Sequence, residues 1–199
     1  MKESTGVAGV LVAVAGQAGS GKSRLAELIA QRLGAHRIDV STDQEPFPES
    51  IAYAKALSEV GGILAASSGA RIVVAGPFHT RESRRTLLRL ASGTRSAVLY
   101  VECSANEFVR RRRLRIRLTS GTEPLTAPEA ELWVNRLISD DERFERTGFE
   151  IPRAAQMLID TTVGVDIWAG LAASRVELWA AESPLVSPLP VEHAALSAG

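Results

Sequence analysis

The sequence predicts an α/β protein: a parallel sheet of about five strands with helices on both faces. Three observations carry that expectation. Short apolar runs alternate with longer stretches of helical periodicity along the 199 residues. The first of these runs, 9–15, is continuously apolar and rich in valine, as in a strand buried on both faces. It leads directly into Gly16-Gln17-Ala18-Gly19-Ser20-Gly21-Lys22-Ser23, and a helical stretch follows. Strand before and helix after is the context a phosphate-binding loop requires.

The remaining elements follow in order. Leu25, Leu28, Ile29 and Leu33 recur at helical spacing over 23–33, and Gly34 is a stop. Residues 37–40 read as a weak second strand, 44–48 as a Pro-containing loop and 49–66 as a helix. Ser67-Ser68-Gly69 is a turn. Residues 71–75 form a third strand ended by Gly76-Pro77, and 81–91 form a helix carrying Leu87, Leu88 and Leu90. Residues 97–102 are a fourth strand. Ser104-Ala105-Asn106-Glu107 reads as a capping box opening a helix to about 118, and Thr126-Ala127-Pro128-Glu129 as a second one opening a helix to about 146. Residues 157–160 are a short fifth strand. The final helix, 166–181, offers Ile167, Trp168, Leu171, Val176 and Trp179 to the core. From Ser183 the chain is rich in Pro, Ser and Ala, so 183–199 is expected to be a flexible tail behind a single unit over 1–182.

Composition is that of an ordinary globular protein, with 45% hydrophobic and 23% charged residues. Lys plus Arg and Asp plus Glu both number 23, so net charge gives no reason to expect a nucleic-acid or membrane partner. The single cysteine, Cys103, excludes an internal disulfide and reads as a small hydrophobe at a strand end. The apolar run before Ala13-Val14-Ala15 resembles a secretory signal, but Glu3 offsets Lys2, and cleavage there would strip the phosphate loop of its strand. No other apolar run approaches the roughly 20 residues of a membrane helix, and a soluble, cytoplasmic protein is expected.

The loop matches G-x-x-x-x-G-K-[ST] at every position, and each position has a physical reason. Glycines at Gly16, Gly19 and Gly21 allow backbone angles that turn successive N–H groups of Gln17, Ala18, Ser20 and their neighbours inward as an anion nest. The helix that follows aims its positive end at the same place. Lys22 suits the β- and γ-phosphates of ATP, and the Ser23 hydroxyl suits Mg²⁺. The fold class is therefore a P-loop NTPase fold.

On these residues the chain resembles the small P-loop kinases that include zeta-toxin-like, chloramphenicol-phosphotransferase-like and polynucleotide-kinase-like proteins. The resemblance runs over 10–162. It rests on the loop, on Val40-Ser41-Thr42-Asp43, on Val73-Val74-Ala75-Gly76-Pro77-Phe78 followed by Arg81 and Arg84, on a helix with Arg113 and Arg117, and on Phe149-Glu150-Ile151-Pro152 before Ile159-Asp160-Thr161-Thr162. It implies that Asp43 is the base toward an acceptor hydroxyl, a place where a carboxylate could also serve Mg²⁺. Asp39 is the rival, within the expected strand. The resemblance further implies a helical lid over about 110–146, with Arg113 and Arg117 as lid arginines, and the base of ATP near Thr161. Arginine suits a transferring phosphoryl group because its planar fork bonds bidentately. The other arginines of 110–117 read as surface, paired with the acidic helix that follows. Phe78, Arg81 and Arg84 are expected on the acceptor side, and His79 is read as a bystander.

The third strand ends Val74-Ala75-Gly76, without the acid that such proteins often carry there. The reading that follows is an ATP-dependent kinase acting on a hydroxyl of a small molecule such as a metabolite, sugar, nucleoside or antibiotic. A nucleotide or nucleic-acid-end kinase is the alternative prompted by the arginine run, against which stand zero net charge and 5% aromatics. A slow ATP-hydrolysing regulatory module is the third reading. Acceptor identity and oligomeric state are not legible.

Overall fold

The computed structural model describes residues 9–40, 49–67, 69–78, 80–143 and 155–182. Along the chain run β1 (Gly9–Gly16), α1 (Lys22–Leu33), β2 (His36–Asp39), α2 (Glu49–Ala66), β3 (Ala70–Ala75), α3 (Arg81–Gly93), β4 (Ser96–Ser104), α4 (Glu107–Thr119), α5 (Ala127–Arg143), β5 (Ala155–Asp160) and α6 (Val165–Glu182). The strands form one five-stranded sheet in the order β2-β3-β1-β4-β5, with every pairing parallel. This is the α/β architecture expected from the alternation of elements.

Side-chain alternation along the strands divides the core in two. Val10, Val12 and Val14 of β1 join Val101 and Cys103 of β4 beneath Leu25 and Ile29 of α1 and Val176 of α6. Leu11, Ala13 and Ala15 join Ile72, Val74 and Tyr100 beneath Tyr53 and Val60 of α2 and Leu87 of α3. Fully burying one such Leu or Ile contributes about 1.5–3 kcal/mol. A third, small cluster of Leu114, Val134 and Ile138 closes α4 against α5, and Ala18 of the phosphate loop packs onto it.

Three sequence expectations are corrected. In α6, Ile167 and Leu171 are 73% and 54% exposed. Val176 is buried and Trp168 and Trp179 pack on the core as expected, but the rest of the buried face is Ala169, Ala172 and Ala173, small residues that let α6 lie close against α1. At the start of α4 the cap is Asn106, whose side chain accepts from Val109 N at 2.9 Å. Ser104 remains in β4, where its carbonyl accepts from Thr161 N at 2.8 Å. Finally, β2 ends at Asp39, one residue before the expected end, although Val40 N still donates to Ala75 O at 2.7 Å. The second capping box is present in its reciprocal half: the Glu129 carboxylate accepts from Thr126 N at 2.9 Å. The expected end of that helix near 146, the expected tail and the segment 1–8 lie outside the described residues.

Candidate active site

The phosphate loop begins in the middle of the sheet. Gly16 stands opposite Cys103 of β4, while Val14 stands opposite Ala75 of β3, so the loop emerges where the chain turns to either side of β1. Gly19 and Gly21 hold left-handed φ values of 75° and 92°, and Gly16 a φ of 148°. A Cβ at Gly16 would lie 2.4 Å from the Cys103 carbonyl oxygen, and one at Gly19 2.7 Å from the Arg110 carbonyl oxygen. Glycine is required at both by backbone that cannot move aside.

The polarity of the loop is set by where its carbonyls go. Gln17 O accepts from Ser20 N at 3.1 Å and lies 3.5 Å from Lys22 Nζ. Ala18 O accepts from Arg110 Nε at 2.9 Å, and Gly19 O from Arg113 Nη1 at 3.3 Å. Ser20 O accepts from the Thr161 hydroxyl, and Gly21 O accepts from Leu25 N at 3.0 Å as α1 begins. Five successive carbonyls are thus committed to protein donors. A loop whose oxygens are tied back in this way offers an anion its N–H groups and the positive end of α1. Lys22 is half-buried and Ser23 exposed at the start of that helix. Ser20 Oγ is buried and has no hydrogen-bond partner among the described residues.

The arginine run divides by helical face. Arg111 and Arg115, four apart, bind Glu131 of α5, and Arg111 also binds Glu107 and Asn135. Arg113 Nη1 and Nη2 donate to Thr161 Oγ1 at 3.0 Å and to Thr161 O at 2.7 Å, besides Gly19. Arg117 and Arg112 are exposed. Arg110, read as surface from the sequence, is 6% exposed, and its Nη1 donates to Gln17 Oε1 at 2.8 Å. The signal was available: Arg110 stands four residues before the buried Leu114 and so shares its face. Thr161 is 0% exposed. Its hydroxyl is shared among Ser20 O, Ser104 O and Arg113, so it sits behind the loop and supports it rather than facing an open cleft.

On the far side of the loop, the expected acceptor residues are placed differently from one another. Arg81 is exposed at the first turn of α3. Phe78 is 1% exposed, its ring edge-on to Tyr53 and Tyr100. Its N–H donates to the Tyr53 hydroxyl, and its carbonyl accepts from Arg84 Nη1 at 3.0 Å. Arg84 is buried, so Phe78 and Arg84 shape the β3–α3 turn from within instead of presenting side chains to a substrate. Asp39 pairs with Arg37 on the exposed end of β2. Asp43 and His79 lie outside the described residues. An acid the motif reading passed over is Glu102, half-buried on β4 opposite Ala15, one residue from the loop; the polar break in the apolar run of β4 marks it.

Burial pushes the Cys103 thiol up to about 12, despite the nearby charges of Lys22 and Arg113. Burial likewise raises the Tyr100 phenol, while the Thr162 hydrogen bonds lower the Asp160 carboxyl. Among the described residues no group of three or more His, Cys, Asp or Glu could hold a metal ion, and no helix is long and apolar enough to cross a membrane. The loop fits a nucleotide: its glycines hold the positive φ values of an N–H nest where neighbouring backbone leaves no room for a Cβ, and its carbonyls are bonded to protein donors. For Mg²⁺ it supplies the Ser23 hydroxyl, which suits an ion that keeps most of its shell from phosphate and water.

A family model described as an AAA domain matches residues 11–136. No curated protein sequence matches. Solved structures share the fold. A candidate kinase of Chloroflexus aurantiacus superposes with a TM-score of 0.65 at 15% identity, over 86% of this chain and 98% of that one. A gluconokinase of Sinorhizobium meliloti superposes at 0.57 with 22% identity, over 88% and 95%. Kti12 of Chaetomium thermophilum, in complex with ADP-AlF3, superposes at 0.59 with 17% identity, over 84% and 97%.

Proposed function

The chain belongs to the AAA-domain family whose model covers its phosphate loop and α4 and reaches into α5, and from that premise we propose that it is an ATP-dependent phosphotransferase acting on a hydroxyl of a small molecule. The observation that carries this reading is the loop with five successive carbonyls bonded to protein donors, three of them held by Arg110, Arg113 and Thr161, at the positive end of α1. In this reading the loop N–H groups and Lys22 take the β- and γ-phosphates, with Arg113 and Arg117 on the lid side. Ser23 would hold Mg²⁺, which supplies charge neutralisation when bound. Transfer breaks the bond between the γ-phosphorus and the oxygen left on ADP and forms one to the acceptor oxygen. The acceptor proton passes to a carboxylate, which we assign to Asp43, with Asp39 of β2 and Glu102 of β4 as the rivals. Arg81 lies on the acceptor side, and Phe78 and Arg84 fix the turn beside it. The fold shared with the gluconokinase supports a polyhydroxylated acceptor.

A second reading, slow ATP hydrolysis by a regulatory module, draws on the likeness to Kti12 bound to ADP-AlF3. ADP release from Mg·ATP, measured against D-gluconate, other sugar acids, sugars and nucleosides, separates the two. Phosphotransfer predicts release that rises at least tenfold with one acceptor class and is lost in Lys22→Ala. Release that no acceptor changes favours the regulatory module.

A further inference from the structure

The arginine that sequence reading left on the surface holds the loop. We infer that Arg110 is a positioning residue for nucleotide binding, acting through the Ala18 carbonyl and the Gln17 side chain rather than through any contact of its own with phosphate. The inference rests on the phosphotransferase reading only in taking Mg·ATP as the ligand.

The geometry is specific to this residue. Its Nε donates to Ala18 O at 2.9 Å and its Nη1 to Gln17 Oε1 at 2.8 Å, so one planar fork spans two successive residues of the loop. The side chain is 6% exposed, while Arg112 on the same helix is exposed. Its own backbone is equally close: a Cβ at Gly19 would strike the Arg110 carbonyl oxygen at 2.7 Å. Arg113, one turn on, takes the next carbonyl, that of Gly19. The two arginines therefore anchor adjacent peptide units from one helix. Ala18 also packs on Leu114, Val134 and Ile138 between α4 and α5, so polar and apolar contacts join the loop to the same helical pair.

The physical consequence is a preorganised nest. A peptide unit in a glycine-rich loop has little to stop it from turning over, and each turned unit would present oxygen instead of N–H to a phosphate. Fixing the Ala18 carbonyl outward removes that alternative before the ligand arrives, which raises affinity by sparing the ordering cost. A buried guanidinium also adds positive charge where salt screens weakly. Charge alone would be served by any arginine of the helix, whereas the fork geometry is served only by this one.

Calorimetric titration with Mg·ATP decides the point on four single variants of the intact chain and the Gln17→Ala/Arg110→Met double variant. Arg110→Met keeps the length and removes both donors and charge. Arg110→Lys keeps the charge without the fork. Gln17→Ala removes one acceptor, and Arg112→Met removes the same charge from the exposed side of the same helix. The expected result is a Kd raised about tenfold or more in Arg110→Met, since charge-assisted hydrogen bonds are lost. Arg110→Lys should fall between it and wild type, and Arg112→Met should match wild type. Gln17→Ala should weaken binding and do so by less in an Arg110→Met background, the mark of a direct coupling. A residue needed only for folding would lower the melting temperature and leave the Kd of the folded protein unchanged. Wild-type Kd in both Arg110→Lys and Gln17→Ala overturns the inference even if Arg110→Met fails to fold. Equal loss in Arg112→Met overturns it in favour of charge alone. Absence of Mg·ATP binding by wild type overturns the nucleotide reading itself, and this inference with it.

Discussion

Phe78 shows how much the β3–α3 turn depends on single side chains. It is a non-glycine residue at φ 47°, a conformation that costs roughly 1–2 kcal/mol for an L-residue. Tyr53 and Arg84 hold it there by its N–H and its carbonyl. Tyr53→Phe removes the hydroxyl partner of the buried Phe78 N–H, and Arg84→Met leaves the Phe78 carbonyl with the Tyr100 hydroxyl at 3.5 Å; each should cost roughly 1–3 kcal/mol in a urea titration. A cost below about 0.5 kcal/mol, the range of ordinary surface substitutions, contradicts the clamp. Cys103 gives a pH prediction of definite sign. Its thiol rises from 9.0 unfolded to about 12 folded, so the folded state keeps a proton the unfolded state gives up. Its contribution is complete below pH 9 and declines between 9 and about 12. The melting temperature of Cys103→Ala should therefore fall less than that of wild type between pH 8 and pH 10.5. Parallel curves would contradict it. Sequence alone placed Cys103 correctly as a buried strand-end residue, because an apolar strand leaves few other places for it. It could not place Phe78, which packs between Tyr53 of α2 and Tyr100 of β4, nor Arg84, which turns back onto the Phe78 carbonyl.

Among the elements, α6 and α4 were the hardest to read, for one reason. Both carry more than one face of similar residues, so periodicity offers several orientations and tertiary packing selects one. In α6 the large apolar residues Ile167 and Leu171 look like core, yet the alanine stripe is buried, because small residues allow the closer approach to α1. Ala172→Leu should overpack that contact and cost about 1–3 kcal/mol, whereas Leu171→Gln should change stability by less than about 0.5 kcal/mol. The reverse order in thermal denaturation would mean the helix is turned. In α4 the run of arginines hides three surfaces behind one residue type: Arg111 and Arg115 toward Glu131, Arg110 and Arg113 toward the loop, Arg112 outward. The glycines, lysine and serine of the phosphate loop, by contrast, were legible, since they fall within eight residues between a strand and a helix. Its strictness is testable: Gly19→Ala, which brings a Cβ to 2.7 Å from the Arg110 carbonyl oxygen, should abolish Mg·ATP binding in calorimetry. Retained wild-type affinity would contradict the loop geometry.

At the scale of the whole molecule, the parallel α/β architecture follows from the alternation of apolar runs and helical stretches visible in the sequence, whereas the strand order β2-β3-β1-β4-β5 and the division of the core come from the tertiary pairing. Nor is it visible there how α4 and α5 meet the loop, because that contact joins residues about ninety positions apart, such as Arg110 with Ala18 and Gln17. Among the described residues, the phosphate loop at the C-terminal end of β1 has β3 and the turn into α3 on one side and the α4–α5 pair packed against it on the other. If that loop binds a triphosphate, Mg·ATP at 100 to 1,000 times its Kd should stabilise the protein by roughly 3–4 kcal/mol. Lys22→Ala should lose most of that shift. The most direct test follows the γ-phosphoryl group itself. With γ-³²P-labelled ATP, Mg²⁺ and a pool of small hydroxylated acceptors, wild type should move the label into an organic phosphate, and Lys22→Ala should leave it in ATP. Label that stays in ATP with wild type, or appears only as inorganic phosphate at a rate indifferent to acceptors, would contradict the phosphotransferase account.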